Sequence, residues 1–243
     1  MKQSIFMVIV MVVAFALALG IFLFLLPDYL RAGGPLVVVL MMLSIMVITF
    51  IFERTFALRA SQGKGSVLGF LKSVKQDVVK NNVDGAIATC DKQGGTAASV
   101  LQAGLERYKE LKGDGKSKLT HKETMDEVQS SINDAMMLET PLLERNLIIL
   151  STIATIAVLT GLLGTVIGMI RAFKALAHSG APDAIQLSQG ISEALVNTAG
   201  GLIGAIMGII AYNYFFTKID NFTYMIDEAS FSMIKTLSLH KEE

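Results

Sequence analysis

Four stretches of this chain are long and apolar enough to cross a lipid bilayer, and nothing else in the sequence limits the fold as strongly. A membrane-spanning helix needs about 20 apolar residues. Ser4 to Leu26 reaches that length and is ended by Pro27 and Asp28. Gly33 to Phe52 is ended by Glu53 and Arg54, Asn146 to Ile170 lies between Arg145 and Arg171, and Ala194 to Thr217 lies between Glu193 and Lys218. Hydrophobic residues make up 52% of the 243 and charged residues 17%, below the roughly 25% of a soluble domain. The expected fold class is an all-α integral membrane protein. The first stretch is too apolar for too long to be an ordinary secretory signal, and no clear small-x-small cleavage site follows it, so it is read as a retained span.

Four spans put both termini on one side. With Glu53 to Arg145 inside, the inner side carries Lys2, fourteen Lys and Arg of the middle segment, Lys218, Lys235 and Lys241; the outer side carries Arg31, Arg171 and Lys174. Arg54, Arg59, Lys64 and Arg145 lie close to spans, where charge counts most. The resulting plan is residues 1–52 as two N-terminal spans (4–26 and 33–52), 53–145 as a cytoplasmic helical domain, 146–217 as two further spans (146–170 and 194–217) with a short outer connection, and 218–243 as a cytoplasmic tail. Trp is absent, so any aromatic belt rests on Tyr29, Tyr212 and Tyr214.

The middle segment is too long for an idle loop. Val67, Phe70, Leu71, Val74 and Val78 form one helical face. Asn81, Asn82 and Gly85 mark a break; a short helix over Ala86 to Asp91 ends at Gly94-Gly95; another over Val100 to Leu111 is stopped by Gly113-Asp114-Gly115. Met125, Val128, Ile132, Ala135 or Met136, Glu139 and Leu142 or Leu143 make a stripe with no glycine stop before the third span. It predicts one helix entering the membrane continuously, bent at most by Pro141. Phe222, Ile226, Ala229, Met233 and Leu237 likewise extend the fourth span inward as helix.

Several function classes are excluded or disfavoured. Lys+Arg and Asp+Glu both number 21 and the basic residues are scattered, which gives no case for nucleic acid. The single cysteine, Cys90, rules out a disulfide framework or a cysteine zinc site within one chain and reads as a buried small residue. His121 and His178 lack neighbouring ligands and read as solvated, so no metal site is expected. No glycine-rich strand–helix turn suggests a nucleotide or other cofactor, and no nucleophile–base cluster suggests an enzyme.

The last two spans carry the informative residues. Gly161, Gly164 and Gly168 in one, and Gly200, Gly204 and Gly208 in the other, are spaced for close helix packing in lipid. Thr155, Thr160, Thr165, Asn197 and Thr198 add polar groups, although a threonine hydroxyl commonly bonds back to its own helix. Glu193 stands at the threshold of the last span. On a helical wheel it shares a face with Asn197, Gly200, Gly204 and Gly208, while Thr198 lies on another with Ala205 and Ile209. A charged group there faces protein, water or the membrane edge. None of the four spans holds a carboxylate, His or Lys in its interior. A chain that moved protons alone would place a titratable relay near mid-membrane, so either this chain does not transport or another polypeptide supplies the charge.

Ile153-Ala-Thr-Ile-Ala157, Gly161-Leu-Leu-Gly-Thr-Val166 and Gly168-Met-Ile170 in the third span, with Gly190-Ile-Ser-Glu-Ala-Leu195, Thr198-Ala199, Gly201-Leu202 and Ala211-Tyr-Asn213 in the last, resemble the MotA/TolQ/ExbB proton-channel family, most closely its ExbB branch. Glu53-Arg54 and Asp84 to Cys90 leading to Ala97 through Leu105 are similar too. The chain departs from the pattern at Val158, where proline is frequent, at Thr160, and in its additional first span. The resemblance implies a homo-pentameric ring around a pore lined by the last two spans, enclosing a single-span ExbD-like partner whose membrane aspartate takes the proton. It implies that Thr165 and Thr198 face that pore, with Glu193 at the outer side of the pathway. It further implies a bacterial inner-membrane machine that turns proton-motive force into work on a TonB-like protein for outer-membrane import. The alternatives are a TolQ-like subunit, a flagellar or gliding motor stator, and a non-conducting membrane scaffold.

Overall fold

The computed structural model describes residues 2–113, 119–178 and 183–239. Among these it holds nine helices and no strand: α1 (Lys2–Phe24), α2 (Asp28–Arg31), α3 (Leu36–Ser61), α4 (Val67–Val79), α5 (Val83–Gln93), α6 (Thr96–Gly113), α7 (His121–Glu144), α8 (Leu147–His178) and α9 (Ala184–Leu239). Four helical stretches, within Ile5–Phe24, Leu36–Ser61, His121–Leu176 and Ala184–Leu239, are long and apolar enough to cross a membrane. The helices outrun the apolar runs because hydropathy does not end a helix; a breaker does. No Gly or Pro occurs between Phe52 and Gly63, nor between Gly208 and Leu239, so α3 and α9 continue through polar sequence.

The residues form two compact units: Met1–Arg54 with Asn146–Phe215, and Thr55–Arg145 with Phe216–Glu243. In the first, α3 buries Val37, Val38, Leu40, Leu43, Val47 and Phe50, and α8 buries Leu147, Leu150, Ile153, Ala154 and Ala157. Among its described side chains, α1 fully buries Ala14 and Ala18, one turn apart, and exposes Ile5, Val8, Ile9, Val12 and Leu17. A helix that is apolar nearly all round and leaves this much of its surface uncovered offers it to lipid or another chain. Pro27 ends it in extended geometry, and the Arg31 Nη2 donates to the Leu23 carbonyl at 2.9 Å, satisfying an acceptor that the last turn leaves open.

The continuous α7–α8 helix expected from the Thr124–Ile170 pattern is broken. Pro141 sits inside α7 without ending it. The break falls at Arg145-Asn146, where Asn146 adopts φ 62°, a left-handed conformation that Asn tolerates better than most residues. Asn146 is buried, and its Nδ2 donates to the Glu53 Oε1 at 3.3 Å. Glu53 in turn pairs with the buried Arg54 at 2.7 Å. The breaker is thus an asparagine held by a residue distant in sequence, not the proline.

In the second unit, Phe70, Val74 and Val78 of α4, Ala86 and Cys90 of α5, Val100, Leu101, Leu105 and Tyr108 of α6, Met125, Val128 and Ile132 of α7, and Phe222, Ile226, Met233 and Leu237 of α9 are buried. Gly104 admits Ile132: a β-carbon there would stand 2.6 Å from the Ile132 Cγ1. Asn81 closes α4 at φ 55°, and the Asn82 side chain accepts from the Gly85 N–H at 3.0 Å. Gly85 therefore lies in the first turn of α5 and is not part of the break. His121 is not simply solvated: its Nε2 donates to the Ser238 carbonyl at 3.1 Å. The side chain of His178, and residues 114–118 after Gly113, lie outside the described residues.

Two outcomes follow. Burial, with Asp91 and Glu106 nearby, pushes the Cys90 thiol up to about 12. Thiolate is the reactive form, so a maleimide should label the folded protein negligibly at pH 7 and stoichiometrically after denaturation, read by mass spectrometry. At the start of α7, the Thr120 backbone N–H donates to the Glu123 carboxylate at 2.6 Å, which holds that carboxyl below its ordinary value. Because the folded value is the depressed one, its contribution is complete above the unfolded value of about 4.3 and is lost as pH falls through the folded value. Glu123→Gln should remove the acid-dependent fraying of this helix end, measured as amide exchange near Thr120 between about pH 5 and pH 3.

Candidate functional site

Helices α8 and α9 meet along small residues. Ala154, Ala157, Gly161, Gly164, Gly168, Ala172 and Ala175 recur every three or four residues along α8, and all are buried. Across from them α9 places Gly190, Ala194, Gly201 and Gly208. The fit is backbone against backbone. A β-carbon at Gly201 would lie 2.6 Å from the Ala157 carbonyl oxygen, one at Gly168 2.6 Å from that of Gly190, and one at Gly161 3.1 Å from that of Asn197. In hydrocarbon, where apolar side chains alone give little reason to associate, such proximity supplies the attraction.

The six glycines singled out from the sequence divide between two neighbours. Gly161, Gly164, Gly168 and Gly208 lie in the α8–α9 seam. Gly200 faces Leu40 of α3, and Gly204 faces Ser44 of α3 with Ala157 of α8. Gly190 and Gly201 belong to the seam as well; the three-or-four spacing of small residues, extended to alanine, is the signal that finds them.

The polar residues also divide. Thr165 is half-buried; its hydroxyl donates to the Leu162 carbonyl at 2.6 Å, and it borders a surface cavity of about 520 Å3 with Val166, Met169, Ile170 and Phe173. Thr155 bonds back to Ser151 in the same way. Thr198 instead reaches across the seam to the Gly161 carbonyl at 3.3 Å. Asn197 is fully buried: its side chain fills the space that Gly164 leaves, and its Nδ2 donates to the Gly33 carbonyl at 2.8 Å. Its Oδ1 has no hydrogen-bond partner among the described residues.

Glu193, one turn before Asn197, is 6% exposed. Both its oxygens accept from the Arg171 Nη1 of α8, at 2.5 and 2.6 Å. Behind it lies Gly34, at φ 70°, where a β-carbon would come within 2.9 Å of the Glu193 Oε1. The Gly33-Gly34 turn before α3, the end of α8 and the start of the α9 span therefore converge on one carboxylate. A cavity of about 850 Å3 opens onto it, bordered by Arg171, Lys174, Asp183, Gln186, Gln189 and Glu193. Asp183 Oδ1 also accepts from the Ile185 and Gln186 N–H groups and so starts α9. Arg171 and the Gly33-Gly34 turn were not candidates from the sequence; a cation at the end of one span and a carboxylate at the start of the next is the signal that points to the pair.

The sequence pattern of the MotA/TolQ/ExbB proton channel family matches residues 93–228, a range that holds α8 and every residue of the seam. A putative biopolymer transport protein, ExbB-like 1, of Synechocystis is 30% identical over 191 residues, covering 77% of this chain and 69% of that protein. A second, ExbB-like 3, from the same organism is 39% identical over 94 residues, 38% of this chain and 45% of that protein. The Tol-Pal system protein TolQ of Haemophilus influenzae is 40% identical over 83 residues, 34% of this chain and 36% of that protein. The chain thus spans less than half the length of two of these three relatives.

The seam makes a direct prediction. Gly201→Val places a branched side chain against the Ala157 carbonyl and should cost several kcal/mol, on the scale of overpacking a closed core, about 1–3 kcal/mol or more. Gly200→Ala, toward the flexible end of Leu40, should be nearly neutral. Thermal melting of the detergent-solubilised protein separates the two.

Proposed function

This chain belongs to the MotA/TolQ/ExbB proton channel family, and we propose that it is the ExbB-like subunit of an inner-membrane proton-driven motor. Copies of it form a ring, most simply a pentamer, whose wall is built from the α8 and α9 spans. A single-span ExbD-like protein sits inside and supplies the membrane aspartate that takes the proton. Thr165 and Thr198 offer hydroxyls along that path, and Glu193 stands at its outer end. The termini and residues 53–145 are cytoplasmic. Proton entry, worth about 2.3 kcal/mol per charge for each 100 mV, moves the partner, which works on a TonB-like protein.

The observation that carries this reading is the charge distribution. The interiors of all four spans lack a carboxylate, His or Lys, in a chain of a proton channel family. A wall with hydroxyls and no carrier is what a channel subunit needs when the carrier belongs to a second polypeptide. Exposed Leu162, Leu163 and Val166 on α8 and Leu202, Ile203 and Ile206 on α9 leave apolar surface for neighbouring copies, the partner and lipid. A TolQ-like assignment is the second reading, favoured by the 40% identity over 83 residues to the TolQ protein of Haemophilus influenzae.

Pull-down from membranes dissolved in mild detergent should recover a single-span protein with one membrane aspartate; its consistent absence would sink the proposal. Thr198→Val and Glu193→Ala should each lower proton-driven uptake while the complex still assembles. Normal uptake in both variants would remove these residues from the pathway.

A further inference from the structure

We propose that Arg171 is a positioning residue that acts through Glu193 and closes the outer end of the path to uncoupled proton leak; this rests on the proton-channel reading above. The pair is one-sided. The Glu193 side chain is 7% exposed and that of Arg171 55%. The carboxylate therefore lies at the floor of the cavity and the guanidinium on its open side, gripping both oxygens through one nitrogen. Gly34 packs beside the pair: a β-carbon there would stand 2.9 Å from the Glu193 Oε1 and 3.8 Å from the Arg171 Nη1, so only glycine leaves room for the two groups to meet.

A guanidinium keeps its charge at any pH a cell meets. Placed at the mouth of a pathway it opposes the approach of a cation or proton, as arginines do in selective pores. It also neutralises the Glu193 carboxylate. Lys174 adds a second cation to the same cavity, with Asp183 as the remaining acid. Asp183 is engaged with the backbone at the start of α9. The bond between Arg171 and Glu193 joins α8 to α9, so a change in the spacing of these helices is what would part the two groups. Paired, the guanidinium stands between the Glu193 carboxylate and the open cavity; parted, it leaves that carboxylate uncompensated at the cavity floor.

The test uses the complete complex of this chain with its single-span partner in vesicles holding a pH-sensitive dye, challenged by an external acid pulse. Arg171→Gln should raise the passive leak up to about fivefold, the rate equivalent of one partly exposed ion pair, with assembly unchanged by size-exclusion chromatography. Arg171→Lys should stay near the wild-type leak. Arg171→Cys gives a second variant whose side chain faces the cavity. A positively charged aminoethyl methanethiosulfonate should reseal it and the negatively charged sulfonatoethyl reagent should not; the native Cys90 is buried and stays unmodified. A purely structural Arg171 would not distinguish the two reagents. Leak at the wild-type level in both Arg171→Gln and Arg171→Cys would overturn the proposal, as would equal resealing by both reagents. Wild-type uptake that survives a protonophore would instead overturn the channel reading itself.

Discussion

The close approach of α8 to α9 is the contact on which the rest of the membrane unit depends. Hydrocarbon offers no hydrophobic gain for pairing two apolar helices, so association rests on packing and on polar bonds between the helices. Gly161, Gly168, Gly190 and Gly201 bring the backbones within reach of each other. That distance is what lets the Thr198 hydroxyl meet the Gly161 carbonyl and lets Asn197 sit in the space left at Gly164. A larger residue at any of these points would separate the helices and with them every polar contact that crosses between them.

At one end of the seam the same two helices present Arg171 and Glu193 to each other, and the Gly33-Gly34 turn closes over both Glu193 and Asn197. Two polar side chains one turn apart on α9 thereby hold the entrance of α3. A buried carboxylate is tolerable only when paired, and here the pairing cation comes from the preceding span. The pair that permits Glu193 to be buried also stands beside the cavity that opens there.

Much of the helical architecture was legible in the residues themselves. The face Phe70, Val74 and Val78, the stripe Met125, Val128 and Ile132, and the tail Phe222, Ile226, Met233 and Leu237 are buried at the spacing the pattern predicted, because helical period and apolar content are local properties. Gly94 and Gly95, at φ 62° and 80°, end α5 where their freedom is needed. The α7–α8 junction was not legible. Pro141 drew attention as the only local breaker, whereas Asn146 turns the chain through a bond to Glu53 from another helix. The bond of His121 is hidden from the sequence for the same reason, since its partner Ser238 is far along the chain.

By itself the sequence determined that this protein is helical, carries four apolar stretches of membrane length, and has no titratable carboxylate, His or Lys within them, since all three depend on composition and period alone. The tertiary structure decided which glycines face α8 and which face α3, that Thr198 bonds across the seam while Thr165 bonds within its own helix, and that Glu193 is gripped by Arg171 against Gly34. A helical wheel gives a residue's direction but not what stands there. Two positions on one helix separated by 100° can meet different neighbours, and only the packing of the three helices fixes which.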